Sequence, residues 1–251
     1  MSKTINKAID ILETFLVYEH ALSLSDVSRL TEINITTAYR ILQTLSNRGL
    51  VSYDKKTSSY NLGLKLLELS YAIRKNLLFA DVAHGPLNRL SQQKNVDLYI
   101  SILDTSASLI IEEFGNTRDM RINSPVGKKL PLHCTATGKV LLASMSPKEL
   151  KTFFKNPLPS FTRHTITDKE ELKKAIEKVA DEGVAYDIEE YKLGLCAASV
   201  PLYSGQGNII AAIGCIDKKS NLPQDKLEEI AADMESCAAE ISQIIARYGL
   251  Y

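Results

Sequence analysis

The chain has 251 residues, more than one compact domain of ordinary size, which predicts two modules or one mid-sized domain with an appendage. With 45% hydrophobic and 24% charged residues, 12 Gly and 8 Pro, it is not collagen-like, low-complexity or wholly disordered. Thirty cations balance thirty acids, and a net charge of zero argues against indiscriminate coating of nucleic acid or membrane.

Ile5, Ala8, Ile9, Leu12, Phe15 and Leu16 recur at helical spacing and predict an amphipathic helix over 4–18. Ser25 is placed to cap a short second helix ending at Thr31, after which Glu32-Ile33-Asn34 supplies a tight turn. From Ile35 to Arg48, one face carries Ile35, Ala38, Ile41, Leu42 and Leu45. The other carries Thr36, Thr37, Arg40, Gln43, Thr44 and Asn47, and Gly49 stops the helix. Two β-type runs, 50–53 and 59–62, flank the cationic, hydroxyl-rich tip Asp54-Lys55-Lys56-Thr57-Ser58. Three helices and a hairpin in this compass describe a winged helix-turn-helix.

Gly63 marks a boundary, and Leu64, Leu66, Leu67, Leu69, Tyr71 and Ile73 then form a linker helix with more apolar surface than a lone linker needs. A helix over 79–94 follows, its ladder interrupted by Pro86. Strands are expected at 96–102, 109–114 and 120–126, and helices at 135–144 and 147–154. Thr167-Asp168-Lys169-Glu170 reads as a capping box opening a helix to Glu182. Strands at 184–188, 196–202 and 208–216 and a helix from Pro223 complete the chain. Without regular βαβ alternation, this order favours an antiparallel α+β sheet. The domains expected are 1–63, 64–77 and 78–251.

The longest apolar stretch, around Ile209 to Ile216, falls far short of the ~20 residues a membrane helix needs. MSKTINKAID lacks the apolar core of a signal peptide, so a cytosolic location and no membrane partner are expected. Cys134, Cys196, Cys215 and Cys237 lie 62, 19 and 22 residues apart without metal-ligand spacing, and read as reduced core thiols. No cofactor or metal is expected.

A major-groove reader needs side chains that donate and accept at base edges, with cations for phosphates. Thr36, Thr37, Tyr39, Arg40 and Gln43 on the third helix fit the first need, and Lys55 and Lys56 at the hairpin tip fit the second. Residues 33–63 carry a charge of +3 while residues 217–248 carry −3, a positive surface on a neutral chain. The plainer alternative is a solvated face on a protein-binding winged helix. Around Thr135, a loop enters a helix among Arg118, Arg121, Lys128, Lys129 and Lys139, ground suited to an anion or simply a solvated charge run. His133 and Cys134 are neighbours on an extended segment and point apart, a poor nucleophilic pair. Asp187, Glu189 and Glu190 read as a solvated turn, with Asp187 alone able to face a pocket.

Four separated motifs now bear on identity: ITTAYRILQTLSNRGLV in the helix-turn-helix, YDKKTSSYNLG in the wing, GKKLPLHCTATGKVLLA, and EGVAYDIEEYKLGL followed by Val200-Pro201. In their order and spacing, the chain resembles the IclR-type bacterial transcriptional regulators along nearly its whole length. The resemblance implies a winged-helix DNA-binding domain, a linker helix and a GAF-like or profilin-like α/β effector-binding domain. It also implies a homodimer or dimer of dimers, repressing or activating operons of small-molecule catabolism from a palindromic operator on double-stranded DNA.

Carried over by position, the family's effector pocket falls on Ile122, Ala136, Thr137, Asp187, Leu195 and Ala197. Ala197 stands where the family commonly has a pocket cysteine, and Cys196 where it has arginine. Period-two alternation turns Cys196 away from the pocket unless a bulge intervenes. A helix opening with the Thr135 and Thr137 hydroxyls favours a carboxylate, and Asp187 opposite would accept from a hydroxyl. The effector expected is an organic acid bearing a hydroxyl, such as a hydroxy-aromatic or sugar acid. Alternatively, Asp187 merely caps the turn that follows it. The rival function is an enzyme or small-molecule carrier acting through residues 78–251, its winged helix mediating protein contacts.

Overall fold

The computed structural model describes residues 2–18, 20–115 and 126–250. The chain divides into two compact units, one ending at Asn76 and one starting at Leu77. The first runs α1 (Lys3–Val17), β1 (Leu22–Ser23), α2 (Leu24–Thr31), α3 (Ile35–Asn47), β2 (Val51–Asp54), β3 (Ser59–Leu62) and α4 (Lys65–Arg74). Its three strands form an antiparallel sheet in the order β1-β3-β2. Ile11 and Phe15 of α1, Val27 of α2 and Ala38, Ile41, Leu42 and Leu45 of α3 share one core with Leu22, Ile33, Val51 and Tyr60. On α3 the expected stripe is the buried one apart from Ile35, whereas on α1 the core is formed by Phe15 and by Ile11, with Ile5, Ile9 and Leu16 of the expected stripe exposed; the unit is a winged helix-turn-helix.

Ser23, two residues before the expected Ser25, caps α2. Its hydroxyl accepts from the Asp26 N–H at 3.1 Å and the Asp26 carboxylate accepts from the Ser23 N–H at 3.2 Å, a reciprocal capping box. Glu32 then takes the left-handed conformation, φ 55°, to turn the chain into α3. At the end of the hairpin a Cβ on Gly63 would lie 2.0 Å from the Gly49 carbonyl oxygen, so the return strand passes the end of α3 only because that atom is missing. No residue of α4 is buried within its unit: Leu64, Leu67, Leu69, Tyr71 and Ile73 are all at least half exposed.

The second unit runs α5 (Leu78–Lys94), β4 (Asp97–Asp104), β5 (Ala107–Phe114), β6 (Lys129–Pro131), α6 (Ala136–Ala143), α7 (Pro147–Phe153), α8 (Lys169–Glu182), β7 (Ala185–Ile188), β8 (Leu195–Tyr203), β9 (Ile209–Lys218) and α9 (Gln224–Tyr248). The six strands pair antiparallel in the order β6-β5-β4-β9-β8-β7. The short β6 falls where a loop was expected, and the strand expected at 120–126 lies almost wholly outside the described residues. Asp168, rather than Thr167, caps α8, accepting from the Glu170 and Glu171 N–H groups at 2.9 Å.

One sheet face packs Leu98, Ile100, Cys196, Ala198, Val200, Ile213 and Cys215 against α5 and α9. The other is covered by α6, with α8 packed beside it. With a helix layer on each side, β8 and β9 are buried almost end to end. On the α6 side the central strands present small groups, Ala197 and Ser199 from β8 and Ala212 and Gly214 from β9, which lets the helix approach closely.

Replacing Ser23 by Ala removes one side of the capping box, and costs ~1 kcal/mol of α2 stability. Hydrogen exchange on the full chain is expected to show roughly five-fold lower protection of the α2 amides. Ser25→Ala should leave them near the parent.

Candidate functional site

On α3, Thr36, Tyr39, Arg40 and Gln43 are exposed and Thr37 half-buried. The Asn34 side chain accepts from the Thr36 N–H at 2.9 Å and fixes where the helix begins. The exposed face has two flanks. On one, Gln43 Nε2 donates to the Tyr39 hydroxyl at 2.6 Å, and the Tyr53 and Tyr60 rings of the wing meet at a tilt of 43° with centroids 4.8 Å apart. On the other, Thr37, Arg40 and Thr44 line a cleft of about 410 Å³ with Thr4, Ile5 and Ala8 of α1.

At the hairpin tip, Asp54 accepts from the Lys56 N–H at 2.8 Å and the Thr57 hydroxyl at 2.9 Å. These bonds hold its carboxyl below the usual range. The only acid of residues 33–63 is thus spent within the turn, and Lys55 and Lys56 stay exposed.

The second unit holds a buried polar cluster between the start of α6 and the sheet. Thr135 caps α6, accepting from the Gly138 N–H at 3.1 Å and donating to the Pro131 carbonyl at 2.7 Å. Thr137 Oγ1 accepts from Ser108 Oγ at 3.1 Å, and the Thr137 hydroxyl bonds the phenol of Tyr99. Lys139 is only 4% exposed; its ammonium donates to the Tyr186 carbonyl at 2.8 Å and pairs with Glu190. Asp187, directly opposite Ala197 in the β7–β8 ladder, accepts from the Glu190 N–H at 2.7 Å and the Tyr191 N–H at 3.3 Å. Burial, reinforced by the Glu190 charge, nevertheless pushes the Asp187 carboxyl up to about 7. Burial also raises Glu190, against the pull of Lys139.

Cys134 is pushed up to about 12 by burial and by the Asp187 and Glu190 charges, so it is a protonated thiol at neutral pH. His133 is held below its usual value by burial, and its Nε2 lies 2.9 Å from the Pro159 carbonyl. All four cysteines are free. Among the described residues no group of three or more His, Cys, Asp or Glu is placed to hold a metal ion, and no helix is long and apolar enough to cross a membrane.

Residues 4–55 match the IclR helix-turn-helix domain, and residues 72–243 match the C-terminal domain of the bacterial transcriptional regulator IclR. The chain belongs to the IclR family. Across the family comparison it is 26% identical over 244 residues to the HTH-type transcriptional regulator XynR of Escherichia coli K12, covering 97% of each chain. The crystal structure of the Thermotoga maritima IclR superposes with a TM-score of 0.79 at 27% identity, over 97% of this chain and 98% of that one. An IclR homologue of Microbacterium hydrocarbonoxydans, crystallised in complex with 4-hydroxybenzoate, shares the fold with a TM-score of 0.86 at 23% identity, over 97% and 99% of the two chains. This IclR-family chain is a DNA-binding transcriptional regulator.

Of the residues carried over from the family's pocket, Ala136, Thr137, Asp187 and Ala197 are buried and gather between α6 and the β7–β8 ladder. Leu195 lies at the β8 end, half-buried, and Ile122 lies outside the described residues. The β8 register is unbroken from Leu195 to Leu202, so Cys196 packs in the α5–α9 core and Ala197 faces α6. The cationic ground expected beside α6 is altered: Lys139 is buried and paired, and Lys129 pairs with Asp104 at 2.7 Å. Arg118 and Arg121 lie outside the described residues. Nor is the acid run a solvated turn, because Asp187 and Glu190 are buried and Glu189 pairs with Lys219. Tyr99 and the Lys139–Glu190 pair went unread, since no local spacing announces either.

Asp187 carries a proton in the folded protein up to about pH 7, whereas an unfolded aspartate releases it near pH 4. The folded state therefore binds more protons between those values, and stability falls as pH rises through that window. Glu190 shifts in the same direction, Lys139 opposes both, and Cys134 and Tyr99 stay protonated throughout. From pH 5 to pH 8 the parent is expected to lose up to about 3 kcal/mol of stability by urea unfolding. Asp187→Asn should flatten most of that slope.

Proposed function

We propose that this regulator reads a palindromic operator as a homodimer or dimer of dimers and is switched by a small organic acid held between α6 and the β7–β8 ladder. The domains follow as residues 1–63 for DNA, 64–77 as linker and 78–251 for the effector, all in the cytosol and without catalysis of its own. The observation that carries the reading is the exposed polar face of α3 beside a wing whose only acid is internally bonded. Arg40 and Gln43 are suited to guanine and adenine edges, Thr36, Thr37 and Tyr39 to the groove floor and backbone, and Lys55 and Lys56 to phosphates.

The effector reading rests on the α6 terminus. Backbone N–H groups of a first helical turn lack intrahelical acceptors, and Ala136 and Thr137 occupy that turn. The Microbacterium homologue's 4-hydroxybenzoate complex supports an organic acid. Catalysis by residues 78–251 finds no support in the protonated Cys134 thiol, and the relatives are named as regulators.

Gel shifts on the DNA upstream of the chain's own gene test the reading. Arg40→Ala is expected to cost ~1–3 kcal/mol and relax specificity at one base pair. Lys55→Ala should weaken all sequences alike and reduce the salt slope by about one. Equal, sequence-independent losses would refute the division of labour.

Self-association follows from the apolar residues that α4 leaves uncovered, together with Ile5 and Ile9 of α1, which are 61% and 46% exposed. Sedimentation of the full chain at micromolar concentration is expected to show at least a dimer, and Leu67→Glu to shift it toward monomer.

A further inference from the structure

Tyr99 is the largest side chain that β4 turns toward the α6 side of the sheet, where it faces the small residues of β9. It pairs with Gly214 across β4 and β9, and is 2% exposed. A Cβ built on Gly214 would lie 2.7 Å from the Tyr99 ring carbon Cζ, 3.0 Å from its hydroxyl oxygen and 2.8 Å from the Thr137 methyl. The tip of the phenol and the first turn of α6 thus meet over a glycine where a single methyl does not fit.

The hydrogen bonding there is complete at Thr137. Its oxygen accepts from Ser108, and its hydroxyl bonds the phenol, within electrostatic reach of Asp187. Thr137 and Asp187 are the two groups that the effector reading assigns to a ligand's polar ends, and a phenol is already bonded to the first of them. Two residues along the same face of β4, Ser101 Oγ is fully buried without a hydrogen-bond partner among the described residues. A buried hydroxyl left unpaired is costly, and marks the neighbouring space as polar ground that a ligand can complete.

We infer that Tyr99 is a built-in occupant of the effector site: its phenol takes the place of a hydroxy-aromatic ligand between Thr137 and Asp187, restricting this protein to short aliphatic acids that fit beside the ring. The inference rests on the effector reading for the identity of the site. It narrows the ligand class, because an aromatic ring would have to displace Tyr99 from a position where backbone on one side and Thr137 on the other leave no slack.

Thermal shift on the full chain with phenol, 4-hydroxybenzoate and a set of two- to four-carbon carboxylic acids tests it, using the parent, Tyr99→Ala and Tyr99→Phe. Removing the ring by Tyr99→Ala leaves a phenol-sized space of matching polarity. Phenol and 4-hydroxybenzoate at millimolar concentration are expected to raise the Tm of Tyr99→Ala by about 3 °C or more and that of the parent by less than about 1 °C. Adding Thr137→Val to Tyr99→Ala should reduce the phenol response, since the hydroxyl then lacks its partner.

Tyr99→Phe keeps the ring and carries the test if Tyr99→Ala does not fold: like the parent, it should not respond to 4-hydroxybenzoate. A parent or Tyr99→Phe protein stabilised by 4-hydroxybenzoate overturns the inference, as does a folded Tyr99→Ala protein indifferent to phenol. Failure of the effector reading looks different: the short acids then stabilise no variant, while phenol still restores Tyr99→Ala.

Discussion

A lysine ammonium removed from water has to find its acceptors inside the protein, and in the second unit that need ties the cluster together. Lys139 lies on α6, while Tyr186 and Glu190, which accept its hydrogen bonds, lie on β7 and the turn beyond it. Burying such a pair costs several kcal/mol per ion unless geometry and further hydrogen bonds offset it. Here the Tyr186 carbonyl supplies one such bond, and the Thr162 hydroxyl ties the Glu190 backbone to the preceding loop. The pair therefore fixes α6 against the β7 edge, and with it the spacing between Thr137 and Asp187. Its net contribution is to position more than to stabilise, since an apolar pair of equal volume would hold the helix without specifying where along β7 it sits.

The same economy governs Asp187. Two backbone N–H groups favour its ionised form, yet burial and the neighbouring Glu190 outweigh them, leaving a carboxyl balanced near neutrality. A cap and a site group are usually treated as alternatives, but one oxygen satisfies the turn while the carboxyl as a whole remains the charge-variable wall of the cluster. The turn is what aims it. Without the Glu190 and Tyr191 N–H groups to accept from, the side chain would have no reason to keep one rotamer against Ala197.

The helices were legible wherever burial was one-sided. Ile35, Ala38, Ile41, Leu42 and Leu45 place α3 within a residue because its other face is solvent, and the Leu-rich α4 reads as an uncovered helix because it is one. Caps were read one or two residues off, since Ser23 and Ser25, or Thr167 and Asp168, satisfy the same residue preference. Only the reciprocal partner decides, and for Ser23 that partner is Asp26, three residues on. On β4, the alternation of Leu98, Ile100 and Ile102 marks one buried face and suggests that Tyr99 and Ser101 face water. Helices on both sides of the sheet bury them equally, and a period-two pattern carries no information about the second layer. Lys139 was unreadable for a related reason: its partner is 51 residues away, and a charge in sequence does not reveal a distant acid.

The small residues of the central strands also make sense together once both layers are in view. With Ser199 opposite Gly214 and Ala212 next along β9, the central strands give up side-chain volume on the face that α6 covers. Close packing does not tolerate a void of that size without large cost, so volume lost from β8 and β9 has to be returned by a neighbour. Tyr99 on β4 returns it, reaching across the strand ladder to Gly214, and its hydroxyl finds the hydrogen-bond partner that a buried phenol requires in Thr137. Small residues on two strands and a large one on the third are therefore a single packing solution, and the chemistry of the cluster follows from which strand supplies the bulk.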